Sequence, residues 1–501
     1  MIRGGVREAL GWVSAAAIGV IVAAQVAQTA RAEMLFRDGD SLIVALMVQS
    51  VFRGEPFDWV MSSVLFIPES LLFAASSVLP LGSNGLLAVN AVLNVIALYG
   101  AIRLVAGRRR VGAAPVAWSL TALGTFGIIA MTETSASRSS FELASLLLTT
   151  TYYSATVIGV IATIGILRRA LDRPTPGRLL PFWLAVTAAV STLSNPLYGA
   201  WATAPLGALL ALRAIRAPAR TPTRRAALVL MMVLGGGSLA GLALRIPLDP
   251  WIAKSGASYV QPLAWLDSLG YYGGFALSRL QTPGGVVAGM LLLGLFAFAV
   301  VQSARLRDPA SRLVATSAWV LPVIVVVGGI ALGTHATRYL QPALFAPLLA
   351  LVAAPRALPV PAPRWVIATA SVALLGVSAV SVPRLAASAT QPDADLVCVT
   401  DWVEESEATG GGQFWTVRLP KLHVDDPARL VQVHSDLDAY GWLVNRTDYV
   451  GVDEVEFLVE SDADGGWILP PSARPDEVIL CGRYRILDFR TDPLPIGPLR
   501  L

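Results

Sequence analysis

Arg37-Asp38-Gly39-Asp40 follows directly on the first long apolar run of the chain. Two carboxylates two residues apart beside a membrane are costly to desolvate, and ionisable groups at membrane depth mark function by default. Two chemistries suit them. One carboxylate can act as general base towards an acceptor hydroxyl, or Asp38 and Asp40 together can help hold a divalent cation, Mg or Mn, against a phosphate. The plain structural alternative is a helix cap, because Asp40-Ser41 precedes the apolar run 42–48 and Asp is a good N-cap. Asp38 acting while Asp40 caps would satisfy both. A donor phosphate also needs a cation. Arg338, in His335-Ala-Thr-Arg338-Tyr339-Leu-Gln341-Pro342, sits at the mouth of an apolar run, and guanidinium meets phosphate bidentately. Against that stands an interfacial arginine that merely snorkels. His335 could assist the phosphate or a proton transfer.

Further candidates are more diffuse. Arg138 and Glu142 are spaced i and i+4 where a loop runs into an apolar segment, and that spacing allows them to pair on a helix; Arg138 could face a phosphate or an acceptor. Tyr152 and Tyr153 follow and could line a sugar or lipid cavity, although aromatics in a span usually serve packing. Glu69 falls in a short amphipathic stretch. Lys254, Tyr271, Tyr272 and Arg279 lie in an aromatic segment, 246–283, that suits carbohydrate stacking and lipid-phosphate contact, or forms an interfacial aromatic belt. Asp401-Trp402 and Phe414-Trp415 with Arg418 could bind a glycan, or build a small core.

The elements that must position these residues are membrane helices. The chain has 501 residues, 55% of them hydrophobic, with a mean hydropathy of +0.62. Apolar runs near 20 residues recur, each long enough to span a hydrocarbon core of about 30 Å. Lipid-exposed backbone must satisfy its own hydrogen bonds, so the class is an α-helical polytopic membrane protein. The first run, about 10–29, follows Arg3 and Arg7 and reads as a retained helix rather than a cleaved signal peptide.

Net charge is +4, but residues 391–501 carry 21 acidic and 9 basic side chains, against 13 and 29 elsewhere. The basic excess is no nucleic-acid footprint. It falls in short clusters between apolar runs, at Arg3/Arg7, Arg108-Arg109-Arg110, Arg168/Arg169/Arg173/Arg178, Arg213 to Arg225, Arg305/Arg307/Arg312 and Arg356/Arg364. The positive-inside rule places these in the cytoplasm. About 11 transmembrane helices then alternate without conflict, at roughly 10–29, 84–106, 112–132, 141–167, 179–194, 198–214, 225–245, 284–303, 313–333, 342–354 and 365–382. The stretches 41–53 and 67–80 are too short, or interrupted by Pro68-Glu69, and are expected to be juxtamembrane helices on the outer face. The protein would sit in the plasma membrane with a cytoplasmic N-terminus. Residues 1–383 form the transmembrane domain. Residues 384–501 turn acidic and β-rich with dense turn signals, and are expected to be a small extracytoplasmic α/β domain. Its Cys398 and Cys481 are the only two cysteines, and an oxidising location would permit a disulfide. Asn445-Arg446-Thr447 fits the glycosylation acceptor pattern.

The order of parts resembles the polytopic GT-C-fold glycosyltransferases: one span, an outer loop with an acidic motif, two juxtamembrane helices, many spans and an external C-terminal domain. The matching motifs are Asp38-Gly39-Asp40-Ser41 leading to Val51-Phe52-Arg53-Gly54-Glu55, then Ile67-Pro68-Glu69 in place of the family's fuller Pro-rich opening. The resemblance implies a polyprenyl-phosphate sugar donor, a glycan, lipid or protein acceptor, and membrane lipid as surroundings. It implies base or metal-ligand roles for Asp38 or Asp40, and an Arg-Tyr pair in the last outer loop, here Arg338-Tyr339. Beyond a divalent cation no cofactor is expected. Two other classes compete: a lipid or glycan transporter or flippase, which would place ionisable groups near the midplane, and a non-catalytic envelope-assembly partner.

Overall fold

The computed structural model describes residues 2–108, 112–172, 177–254, 259–356 and 363–500, and these separate into two compact units. Arg109, Arg110 and Arg173 of the basic clusters lie outside the described residues. Unit 1 comprises Met1–Ala32, Ala88–Ile246 and Ser258–Ser388; unit 2 comprises Glu33–Leu87, Pro247–Ala257 and Ala389–Leu501. The acidic loop therefore folds with the C-terminal residues.

The chain is mostly helical, and among the described residues seven helices are long and apolar enough to cross a membrane: Gly5–Val26, Ser83–Val105, Ser154–Leu171, Pro222–Ala243, Pro283–Arg305, Pro309–Ala331 and Trp365–Ala389. The last of these is apolar yet only 6% buried, which suits a lipid environment. The expected crossing at 141–167 starts later, because 134–144 is irregular and only a short 3-10 turn, Ser145–Leu148, precedes Ser154. The expected crossing at 342–354 is broken into Gln341–Leu348 and Ala350–Ala353, with Pro342 and Pro347 removing backbone donors. Pro115–Met131 and Leu179–Ser194 are shorter apolar helices, about 25 and 24 Å long at roughly 1.5 Å per residue.

Small residues and caps lock unit 1. A Cβ on Gly237 would lie 2.7 Å from the Ala185 carbonyl, and one on Gly241 would strike that of Ala189. This small-xxx-small pair lets Pro222–Ala243 and Leu179–Ser194 approach closely. Arg168, 5% exposed, donates to the carbonyls of Val105 and Val352, each near the end of a helical segment.

Unit 2 is built on a five-stranded sheet of β1 (Gly410–Gly412), β2 (Leu430–Gln432), β3 (Phe457–Ser461), β4 (Glu477–Cys481) and β5 (Tyr484–Asp488), ordered β2-β1-β3-β5-β4. β1 runs parallel to β2 and β3, while β3–β5 and β5–β4 are antiparallel. The helices Ala394–Ser406 and Phe414–His423 close one face over Val399, Val417, Phe457 and Ile486. Residues 33–87 join by several ties. Trp59-Val60 pairs antiparallel with Val444-Asn445. Asp58 receives Arg446 and the Trp251 indole. The Arg446 hydrogen bond holds the Asp58 carboxyl below its usual range, so this tie persists at neutral pH and is lost as pH falls through that lowered value. The Asn445 amide donates to Ser50 and Pro56 and is 1% exposed, which leaves no room for a glycan in the folded unit.

Cys398 and Cys481 form a disulfide joining the helix Ala394–Ser406 to β4 across 83 residues. A closed loop of that length contributes about 4 kcal/mol. Replacing both cysteines by serine should lower the thermal midpoint of unit 2, followed by tryptophan fluorescence in detergent; an unchanged midpoint would contradict this.

Candidate functional site

In unit 2 the two aspartates play different parts. The helix Ile43–Phe52 takes Leu42 as its N-cap, with no side-chain capping bond. The expected cap at Asp40 is thus not made. It is Asp38, 8% exposed, whose Oδ2 accepts from the Ser41 backbone N–H at 3.2 Å. The Ser41 hydroxyl in turn donates to the Met34 carbonyl at 2.6 Å. These bonds wind residues 38–42 into a fixed turn. Asp40 is half-buried, and among the described residues its carboxylate makes no hydrogen bond and no salt bridge. That is the state a general base needs before substrate arrives.

Arg418 faces this turn from the helix Phe414–His423. It is 2% exposed, so it is not the surface glycan-binding arginine that its sequence neighbours suggested. Its Nη1 donates to the Gly39 carbonyl at 3.2 Å, Nη2 to the carbonyls of Trp442 and Leu443, and Nε to Gln432. The Phe414 ring centroid lies 3.5 Å from its Cζ. Burial pulls its pKa down to about 9, opposed first by the charge of Asp40 and also by Tyr440 and Asp38, so it remains a cation at neutral pH. Gly39 is explained by the same contact, because a Cβ there would come within 3.2 Å of Trp415 and 3.3 Å of the Phe414 carbonyl. A divalent cation at Asp38 and Asp40 would have to take its remaining ligands from substrate phosphate and water, since among the described residues no group of three or more His, Cys, Asp or Glu forms a site.

Beyond this turn, unit 2 holds an apolar cavity of about 480 Å³ between Ile43–Phe52, Ile67–Ser76 and the 248–251 segment. Met47, Val51, Trp59, Leu71, Ala74 and Trp251 line it. Volume and lining are those of a ligand pocket. Glu69 is 4% exposed in the first turn of Ile67–Ser76, where a carboxylate is favoured by the helix dipole. Lys254 pairs with Asp249 at 2.9 Å on an exposed surface.

Unit 1 carries the remaining candidates. Glu142 does not meet Arg138 through helical spacing, because 138–142 is not helical. Glu142 instead binds Arg279 at 2.9 Å and accepts from the Ser135 N–H, with both charged side chains buried. Arg31, 1% exposed, donates to the carbonyls of Ser135, Ser137 and Glu142 and to the Ser145 hydroxyl. Glu133 accepts from Ala144 N–H, Ser145 N–H and Ser145 Oγ. Burial pushes its carboxyl up, and Arg31 with those donors pulls it back. Sequence reasoning missed Arg31 and Glu133; the one local signal was a charged residue a few positions past the end of an apolar helix, Arg31 after Ile2–Val26 and Glu133 after Pro115–Met131. Together they fix residues 132–145 and leave Arg138 half-buried upon them.

Arg338 belongs to a second cluster. Its Nε donates to the Tyr153 hydroxyl at 3.3 Å, and its Cζ lies 5.7 Å from the Tyr339 ring. Tyr153 stacks against Tyr339 and meets Trp201 edge-on. Tyr153 adopts φ +67°, a left-handed conformation that costs a non-glycine residue roughly 1–3 kcal/mol and persists where the surroundings impose it. The exposed His335 lies edge-on to Tyr271 at 5.3 Å, and Tyr272 bonds Thr334. Tyr152 is 1% exposed and receives Gln341 on its carbonyl. Unit 1 thus brings Arg338, Tyr153, Tyr339, Tyr271, Tyr272 and His335 onto one short segment, and sets Arg138, Glu142 and Arg279 around another.

Comparison with protein-family models, curated proteins and solved structures finds no match for this chain.

Glu142→Gln would leave Arg279 buried without its counter-charge. Breaking such a pair costs about 3 kcal/mol, and the thermal midpoint of the full-length protein in detergent should fall accordingly. A midpoint equal to that of the wild type would show that the pair is dispensable.

Proposed function

We propose that this chain is a membrane glycosyltransferase of the GT-C type, moving a sugar from a polyprenyl-phosphate donor to a glycan, lipid or protein acceptor outside the cytoplasm. The observation that carries the reading is Asp40: a half-buried carboxylate on a fixed turn, beside a buried guanidinium, with no partner of its own among the described residues. The acceptor hydroxyl oxygen attacks the anomeric carbon and its proton passes to Asp40. The bond from that carbon to the donor phosphate oxygen breaks, and polyprenyl phosphate leaves with the electron pair. Stabilising the charge that grows on the leaving phosphate is the role that the sequence resemblance suggests for Arg338, with Arg138, both in unit 1. The apolar cavity of unit 2 suits a stretch of the donor's isoprenoid chain. About eleven crossings, a cytoplasmic N-terminus and an external C-terminal segment complete the reading, and the disulfide supports the external placement.

The test is transfer of radiolabelled sugar from a panel of polyprenyl-phosphate donors in membranes. Asp40→Asn should lower transfer by at least about 10²-fold, as loss of a general base does, and leave a measurable residue. Asp38→Asn should lose less, and Arg338→Ala should lower kcat. Transfer from no donor, or transfer indifferent to all three changes, would sink this site. Filling the cavity with Ala74→Trp should raise KM for long-chain donors at unchanged kcat, the sign of lost uniform binding; equal KM for wild type and variant would remove the cavity from donor recognition.

A further inference from the structure

Gly39 and Arg418 are 379 residues apart in sequence and in direct contact. We propose that Arg418 is a positioning residue for Asp40, holding the backbone of the Asp38-Gly39-Asp40 turn so that the Asp40 carboxylate stays aimed at the acceptor hydroxyl. This rests on the glycosyltransferase reading.

Three observations carry it. First, the guanidinium makes four hydrogen bonds with its five N–H donors. Its bonds to Gln432, Trp442 and Leu443 fix its plane, and the Gln432 amide is itself fixed by donating to the carbonyls of Tyr440 and Trp442. The bond to Gly39 therefore comes from a rigid donor. Second, the turn packs closely at the contact, since a Cβ on residue 39 would press on Trp415 at 3.2 Å and on the Phe414 carbonyl at 3.3 Å. Third, Asp40 and Asp38 are the two carboxylates whose charge favours the Arg418 cation, Asp40 the more strongly. A buried cation is tolerated only when its field is met, so the arginine and the acidic turn hold each other in place. Lysine could not replace it, because one ammonium has three donors and no planar fork.

The experiment uses the full-length chain in lipid nanodiscs with Arg418→Lys, Arg418→Gln and Gly39→Ala, the last altering the contact from the turn's side. Amide hydrogen exchange and sugar transfer from polyprenyl-phosphate donors are both read. Expected are exchange roughly tenfold faster at residues 38–41 with unchanged protection of β3 and β5, and a fall in kcat of about 10²-fold with KM nearly constant, as for a misplaced reacting group. On an Asp40→Asn background Arg418→Lys should add no further loss, because the two act as a unit. Unchanged exchange at 38–41, loss of protection in β3 and β5 as well, or losses that multiply would each overturn the proposal. A wild type that transfers no sugar from any donor, with the exchange result as expected, would overturn the glycosyltransferase reading and the catalytic use of the anchor, while the anchor itself would stand.

Discussion

A guanidinium taken out of water costs several kcal/mol unless carbonyls and carboxylates surround it. Both units are organised by that constraint. In unit 1 Arg31 gathers the carbonyls of an otherwise irregular loop, with Glu133, Glu142 and Arg279 completing the charge balance. In unit 2 Arg418 gathers carbonyls from residues 39, 442 and 443. Neither loop has a helix or strand to hold it. Each becomes a defined shape because the buried cation beside it has no other way of being satisfied.

The acidic turn divides its labour. Asp38 lends its carboxylate to the backbone of Ser41 and so gives the turn its form. Asp40, two residues on, inherits a fixed origin, and among the described residues its carboxylate makes no hydrogen bond and no salt bridge. The segment around Arg338 is set differently. Aromatic rings flank that guanidinium, it stays half-exposed, and a strained Tyr153 marks the spot. One cation is enclosed among carbonyls and the other lies against the rings of Tyr153 and Tyr339.

How far the sequence could be read follows from the range of the interactions involved. Apolar runs of membrane length, the stretches 41–53 and 67–80, and two cysteines in a β-rich segment all rest on local pattern; among the described residues seven of the eleven expected crossings are helices long enough to span, both short stretches hold a helix, and the cysteines pair. The expected crossing at 141–167 misplaced its start, because hydropathy does not distinguish an irregular buried loop from a helix when distant Arg31 and Glu133 satisfy its backbone. Helical spacing proposed a local partner for Glu142 where a residue 137 positions away provides it. Capping rules pointed to Asp40 where Asp38 makes the bond. Arg418 was left between a glycan contact and a small core because nothing in its neighbourhood of sequence announces Gly39. The acidic motif itself was legible; what holds it was not.

Unit 2 is assembled from three pieces of chain, and the first and last are separated by some three hundred residues. A ribosome makes the Asp38-Gly39-Asp40 turn early and Arg418 late, after nearly every apolar helix has emerged. Until then the Gly39 carbonyl has no guanidinium to receive and residues 444–445 are not there to pair with 59–60. The turn is therefore completed only by residues made some 380 positions after it, and a chain cut short before Arg418, however well its helices insert, carries the acidic motif without its frame. Order of synthesis thus separates the making of the turn from the making of what holds it.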